Sequence, residues 1–181
     1  VHRDISPKNL MVDEDGRVLE EQRVVSPATD AEAIEEAIAG LVADLRSRHD
    51  IATVGVGAAG YVDKARAVVL FAPNVAWRNE DLKGELEKRV ELPVVIENDA
   101  NAAAWGEFRY GAAHDAEDLL LVTVGTGVGG GLVLDGEVYR GANGVGAEIG
   151  HMRVVPNGIL CGCGKHGCYE QYASGSALVR E

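Results

Sequence analysis

Hydrophobic and polar positions along the chain follow two spacings, and together they predict strands that alternate with helices. Residues 29–32 have the composition of a capping box, and apolar residues follow at helical spacing until His49. Further helices are expected at residues 80–90, 100–110 and 174–181, the last read as a helix cut short. Short apolar runs predict buried strands at residues 51–56, 68–71, 94–96 and 119–124. This alternation indicates an α/β fold with parallel strand pairs.

The N-terminal part of the chain is predicted to form a hairpin. A strand at residues 10–12 turns at residues 13–16 and continues into residues 17–19, and residues 20–25 read as an edge strand. The sequence Asp-Glu-Asp-Gly at the turn is rich in the residues that turns favour.

The first residues of the chain resemble a motif of protein kinases. His-Arg-Asp at residues 2–4, followed by Lys8 and Asn9, resembles the catalytic loop of protein kinases. That signature needs a glycine-rich loop and a strand lysine before it and an Asp-Phe-Gly after it, and the sequence has none of them. Residues 1–16 are therefore interpreted as an atypical N-terminal segment, and we hypothesise that they are foreign to the rest of the chain.

Length and charge exclude some function classes. The 181 residues suffice for one full domain or parts of two, and 46% of them are hydrophobic. A net charge of −12 argues against partners such as nucleic acids and anionic membrane surfaces. No apolar run reaches membrane-spanning length. Because the chain opens on Val and ends in a cut helix, we expect it to be a fragment.

All three cysteines lie within residues 161–168, which indicates a metal site. Three thiols cannot pair off evenly, whereas three sulfurs and the imidazole of His151 make the closed set of four ligands typical of structural zinc. His166 is a rival fourth ligand. The alternative is a group of small buried residues with a free thiol. Cysteines that serve a metal fit a reducing compartment, so a cytoplasmic location is expected.

Residues 125–131 form a glycine-rich stretch directly after a predicted strand. They contain the Gly-x-Gly-x-x-Gly fingerprint of dinucleotide sites, which requires a helix immediately afterwards. Here an apolar run and Asp135-Gly136 follow instead, which predicts a turn between antiparallel strands. Such a loop can still offer backbone N–H groups and the Thr126 hydroxyl to phosphate oxygens. The alternative is a tightly packed bend that binds nothing.

Polar residues are dense at the end of the strand predicted at residues 94–96. Asn98, Asp99 and Asn101 lie there, where α/β sheets place their ligands. A carboxylate at Asp99 could take a proton from a bound hydroxyl, although capping of the helix is the commoner use of Asp at such a position. Glu148 and Glu170 flank the cysteine cluster and could accept hydrogen bonds from sugar hydroxyls, or be simply solvated.

These motifs together resemble the ROK family of sugar kinases, repressors and open reading frames, and among its members the bacterial, actinobacterial-type glucokinases. The segments that carry the resemblance are residues 57–63, 71–74, 97–101, 125–131, 148–151 and 161–170. The resemblance implies an actin/hexokinase-type (ribonuclease H-like) fold of two α/β lobes with a small zinc-binding loop. It also implies ATP-dependent, Mg²⁺-assisted phosphorylation of a hexose, with glucose and its 6-hydroxyl favoured, and a homodimer in the complete protein.

The resemblance assigns roles to particular residues. Asp99 would be the general base. The hexose site would be formed by Gly60, Asn98, Asp99, Glu148, His151 and Glu170. Gly125, Thr126 and Gly127 would belong to a phosphate loop, and structural Zn²⁺ would be held by His151, Cys161, Cys163 and Cys168.

The chain departs from the family pattern at its two ends. The family's opening Asp-x-Gly-Gly-Thr phosphate loop is absent, and the adenosine-binding part would follow Glu181. We therefore expect an N-terminal kinase lobe at residues 17–112 and a truncated second lobe at residues 113–181, with little or no catalysis by the chain as given. The alternatives within the family are a sugar-sensing repressor domain and a kinase for N-acetylmannosamine or fructose, and ADP or polyphosphate could replace ATP.

Overall fold

The computed structural model describes residues 8–24, 27–73 and 75–180. The protein-kinase-like motif at residues 2–4 lies outside these ranges. In chain order the strands are β1 (Lys8–Val12), β2 (Val18–Arg23), β3 (Val54–Ala58), β4 (Tyr61–Val62), β5 (Val69–Phe71), β6 (Arg78–Glu80), β7 (Val94–Asn98), β8 (Leu119–Val124), β9 (Val128–Leu134) and β10 (Glu137–Val138). The helices are α1 (Ala31–Arg46), α2 (Leu82–Val90), α3 (Asp99–Tyr110), α4 (Glu170–Ala173) and α5 (Gly175–Arg180), with a 3₁₀ turn at Ile149–His151.

The strands form four small sheets among the described residues. β3 and β7 are parallel, whereas β1–β2, β4–β5–β6 and β8–β9–β10 are antiparallel. The α/β class and a parallel pair are therefore confirmed. The N-terminal hairpin is confirmed too, although residues 17–24 contribute one strand, β2, where parts of two were expected.

The helix starts follow from capping side chains. Asp30 is the N-cap of α1, and its carboxylate accepts a hydrogen bond from the N–H of Ala33. Asp81 does the same for α2 through the N–H of Gly84. At α3 the N-cap is Asn98, whose side chain accepts from the N–H of Asn101, so Asp99 is the first residue of the helix and not its cap.

The main hydrophobic core lies where α1 and α2 pack on the parallel strands and on the β4–β5–β6 sheet. Its fully buried members include Val69, Leu82, Leu86, Val94 and Ile96. β7 therefore has buried apolar residues up to Ile96 and polar ones directly after it. No helix in the described ranges is long and apolar enough to cross a membrane.

Helix α3 joins this core to the antiparallel sheet β8–β9–β10. It contacts β3 and β7 on one side and β8 and β9 on the other. The approach of β9 is close, because a Cβ on Gly131 would lie 2.5 Å from the carbonyl oxygen of Ala100. β9 and β10 are joined through Asp135 and Gly136, both at positive φ, as a two-residue hairpin turn requires.

We expect truncation of the core to cost much more than truncation at the surface. Leu86 is fully buried, so Leu86→Ala should lower the free energy of unfolding by about 2–5 kcal/mol. Leu178 is 78% exposed, and Leu178→Ala should change it by less than about 0.5 kcal/mol. Urea unfolding followed by circular dichroism measures both. Equal effects of the two substitutions would contradict the assigned core.

Candidate functional site

One cavity of about 620 Å³ collects the side chains and backbone segments singled out in the sequence. The predicted site residues that line it are Gly60, Asn98, Asp99, Gly125, Thr126, Gly127, Glu148, His151, Cys163 and Glu170. They come from widely separated parts of the chain, so only the folded structure brings them together. Cys161 and Cys168 are buried immediately behind the cavity wall.

The parallel pair β3–β7 builds the first wall. In its register Ala58 lies opposite Asn98, so the segment after β3 and the start of α3 meet at one edge. The amide nitrogen of Asn98 donates to the carbonyl oxygen of Gly60 at 3.1 Å. A side chain at Gly60 is excluded, because a Cβ there would lie 2.5 Å from the carbonyl oxygen of Phe71. Asn98 thus caps α3 and fixes the neighbouring loop.

Asp99 projects from the first turn of α3 and is exposed to the cavity. Its Oδ1 accepts from the N–H of Ala100 at 3.0 Å and from the amide of Asn98 at 3.2 Å. The walls of the cavity limit hydration of the carboxyl group, and this desolvation raises the pKa of Asp99 although the backbone N–H groups oppose it. A carboxylate in this setting is a better proton acceptor than one in water.

Glu148 and Glu170 bring two more carboxyl groups to the same cavity. Burial, together with the negative charges of Asp99 and Glu170, raises the pKa of Glu148 to about 7. A ligand that carries hydroxyl donors would therefore meet three carboxyl groups that lack full hydration.

The glycine-rich stretch is the turn between β8 and β9 and an extension into β9. The N–H of Gly125 donates to the carbonyl oxygen of Gly127 at 2.9 Å, which closes the turn. A Cβ on Gly127 would lie 2.8 Å from Oε2 of Glu170, so the turn lies directly against that carboxylate. At Gly125 a Cβ would meet nothing within 4 Å, and Thr126 is exposed. The predicted absence of a following helix is confirmed, because β9 follows at once.

The side chains of His151, Cys161, Cys163 and Cys168 form one cluster, with all four possible ligand atoms within 4.8 Å of one another. Sγ of Cys161 lies 3.6 Å from Nδ1 of His151, and Sγ of Cys163 lies 3.6 Å from Sγ of Cys168. A tetrahedral zinc ion would separate two sulfurs by roughly 3.8 Å and a sulfur from a nitrogen by roughly 3.6 Å. The spacing of the donor atoms therefore fits zinc.

Protonation of the cluster depends on whether a cation is bound. Burial raises the pKa of the Cys161 thiol to about 12, so the thiolate that zinc requires is favoured only beside a positive charge. The three cysteines form no disulfide. His166, the rival ligand, lies outside the cluster, and its Nδ1 is 2.9 Å from the carbonyl oxygen of Gly158.

The two ring nitrogens of His151 face different groups. Nδ1 faces Cys161 and also lies 3.6 Å from Oε1 of Glu170, whereas Nε2 lies 4.0 Å from Oε2 of Glu148. His151 is thus shared between the cysteine cluster and the cavity. A cation bound through Nδ1 would fix the ring and leave Nε2 available to the cavity.

Sequence reasoning missed two features around the cavity. Tyr61 lines it and meets the ring of His151 edge-on, with 6.2 Å between centroids. An aromatic residue next to Gly60 was the available signal. Glu97 was noticed as part of a polar segment but received no role, and its ion pair with Arg140 joins two distant parts of the chain. Periodicity gives no sign of that contact.

Comparison with known proteins gives close relatives. The chain is 54% identical over 170 residues to a glucokinase of Streptomyces coelicolor, which covers 94% of this chain and 53% of that protein. A solved ROK family glucokinase from Streptomyces griseus, in complex with glucose and AMPPNP, superposes with a TM-score of 0.89 at 57% identity, covering 96% of this chain and 55% of that one. A xylose repressor of Bacillus subtilis is 40% identical over 75% of this chain and 35% of its own length.

The chain thus spans about half the length of the curated glucokinases it matches. The fold is that of the ROK glucokinases, the actin/hexokinase-like type expected from the motifs. The ROK family model matches residues 8–181, and the chain belongs to the ROK family.

Proposed function

We propose that this chain is the hexose-binding and phosphate-loop part of an ATP-dependent glucokinase that phosphorylates the 6-hydroxyl of glucose. The proposal rests on one observation. Asp99, Glu148, His151, Glu170 and the turn at residues 125–127 all line the same cavity. The names of the Streptomyces relatives, one of them in complex with glucose and AMPPNP, support glucose as the sugar and ATP as the donor. Mg²⁺ is included because it neutralises the charge that develops in phosphoryl transfer from ATP.

In the proposed mechanism the sugar hydroxyls donate to Glu148 and Glu170 and contact Nε2 of His151. Asp99 accepts the proton of the attacking sugar hydroxyl. As it does so, the hydroxyl oxygen bonds to the γ-phosphorus of ATP, and the bond from that phosphorus to the leaving ADP oxygen breaks. Asn98 and the N–H of Ala100 hold Asp99 in place. Backbone N–H groups of the 125–127 turn, other than that of Gly125, which closes the turn, donate to phosphate oxygens. A positioned base of this kind contributes roughly 10²–10⁴-fold to the rate.

We also propose that the cluster of His151, Cys161, Cys163 and Cys168 holds one structural zinc ion. The ion would cross-link the 3₁₀ turn (Ile149–His151) to the loop that leads into α4. Each segment adjoins a carboxylate that lines the cavity, namely Glu148 directly before the turn and Glu170 at the start of α4. Zinc would therefore stabilise the sugar-binding wall without taking part in phosphoryl transfer.

A sugar-responsive repressor domain is the second candidate, because the xylose repressor of Bacillus subtilis shares this part of its chain. The greater identity and coverage of the glucokinases, and a net charge of −12, favour the kinase. The lobe boundary near residue 112 and the homodimer are proposals that rest on the family, and the cytoplasmic location is a proposal that rests on the cysteine cluster.

Zinc content tests the metal proposal. The purified chain should contain one zinc per molecule, measured by plasma mass spectrometry, and Cys168→Ser should lose most of it because a neutral hydroxyl replaces a thiolate. His166→Ala is the control and should retain the metal, since His166 lies outside the cluster. A chain without zinc, or loss of zinc in the control, would contradict the assignment.

Calorimetry and turnover together test the role of Asp99. The chain should bind glucose more tightly than xylose or N-acetylmannosamine, and Asp99→Asn should leave glucose affinity within about threefold. Turnover is measured in a chimera in which residues 8–180 replace the matching part of the Streptomyces coelicolor glucokinase. There Asp99→Asn should lower kcat by roughly 10²–10⁴-fold. Retained turnover would reject the general base, and preference for xylose would favour the repressor.

The raised pKa of Asp99 predicts an acid limb in the turnover of the same chimera. Only the deprotonated carboxylate accepts a proton, so kcat should fall as pH decreases through a pKa above the ordinary value of about 3.9. Glu148 titrates as well, and Glu148→Gln removes its contribution. If the fall in kcat at low pH persists in Glu148→Gln, it belongs to Asp99. A midpoint at or below pH of about 3.9 would argue against a raised pKa of Asp99.

A further inference from the structure

An ion pair between Glu97 and Arg140 lies just outside the sugar cavity. Nη2 and Nε of Arg140 donate to Oε2 of Glu97 at 2.6 and 2.9 Å. The exposed fractions of the two side chains are only 23% and 13%. Both residues line a separate cavity of about 610 Å³, and neither lines the sugar cavity. The pair therefore does not touch a hexose bound at the proposed site.

On one side this pair holds the segment that carries the base. Oε1 of Glu97 accepts from the backbone N–H of Asn98 at 3.1 Å and from the amide of Asn101 at 3.2 Å. Asn101 is buried in the first turn of α3. Glu97 therefore holds both the residue before Asp99, through the backbone of Asn98, and the helix turn after it, through the side chain of Asn101.

On its other side the pair holds the segment that leads to Glu148 and His151. Nη1 of Arg140 donates to the carbonyl oxygen of Val138 at 3.1 Å, and its own carbonyl oxygen accepts from the N–H of Gly146 at 2.9 Å. The second bond closes the loop of residues 140–146, which ends two residues before Glu148. A displacement of Arg140 would therefore move the start of the sugar-binding segment.

We propose that the Arg140–Glu97 ion pair positions Asp99 relative to Glu148 and His151, so that base and sugar-binding groups keep one spacing across the cavity. The proposal rests on the proposed function. Charge-assisted hydrogen bonds with little exposure to solvent are strong enough to fix such a spacing. The two side chains lie behind the groups that touch the ligand, and supporting contacts of this kind give a site its precise geometry. Arg140 and Glu97 are thus positioning residues.

Glucose affinity of the full chain, measured by calorimetry, tests the pair. Arg140→Met should weaken glucose binding by roughly tenfold. Nε of Arg66 lies 3.4 Å from the same carboxylate oxygen, so Glu97 keeps one cationic neighbour and the fold is expected to persist. Arg140→Lys, which retains the charge, should recover part of the affinity. Zinc content should stay at one per chain in both variants.

The matched control is Arg89→Met. Arg89 pairs with the buried Glu35 at 3.1 Å and is 25% exposed, close to the value for Arg140, but it lies on α2, away from the cavity. Arg89→Met should lower the melting temperature about as much as Arg140→Met does, and it should leave glucose affinity unchanged.

Three outcomes would overturn the proposal, and they differ in what else they affect. Unchanged glucose affinity in Arg140→Met would overturn the positioning role alone. An equal loss of affinity in Arg89→Met would show that general destabilisation is the cause, which also removes only the positioning role. Absence of glucose binding by the unsubstituted chain would overturn the proposed function and this inference together.

Discussion

The site depends on a change from apolar to polar residues within one buried strand. β7 has Val94 and Ile96 in the core, and the next residues along the chain are Glu97, Asn98 and Asp99. Burial of the apolar part fixes where the strand lies, and the parallel register with β3 fixes what lies beside its end. The polar residues are then held at the edge of the core, where they can act on a ligand without being buried unpaired.

The opposite wall of the cavity depends on close backbone packing. Gly127 lies against the carboxylate of Glu170, Gly131 against the carbonyl of Ala100, and Gly150 against the carbonyl of Val128. At Gly131 and Gly150 the near atom belongs to the backbone and leaves no room for a Cβ, so side chains there would separate the β8–β9 sheet from its neighbours. At Gly127 the near atom is the end of the flexible Glu170 side chain, which a Cβ would displace from its place in the cavity. The glycine-rich run thus has two roles: residues in β9 allow packing, and the 125–127 turn faces the cavity.

Three carboxyl groups in one cavity are electrostatically costly when no ligand is present. Limited hydration raises the pKa of Asp99, and limited hydration together with the negative charges of Asp99 and Glu170 raises that of Glu148. A sugar relieves part of that cost, because its hydroxyl groups donate hydrogen bonds and bring no negative charge. The same arrangement favours a proton acceptor at Asp99. Binding and proton abstraction in the proposed function therefore have one electrostatic origin.

The sequence by itself determined the α/β class, most helix and strand positions and the turn after β8, because periodicity and turn chemistry are local signals. The residues of the candidate site were predicted from metal-ligand spacing and from the resemblance to the ROK family, and their roles stay predictions. The short strands β4 and β6 were missed, since two or three residues give no periodicity. That Asn98 and not Asp99 caps α3, and that Arg140 pairs with Glu97, was decided only by the tertiary structure. Such contacts depend on the distance between residues far apart in the chain, and no local pattern encodes that distance.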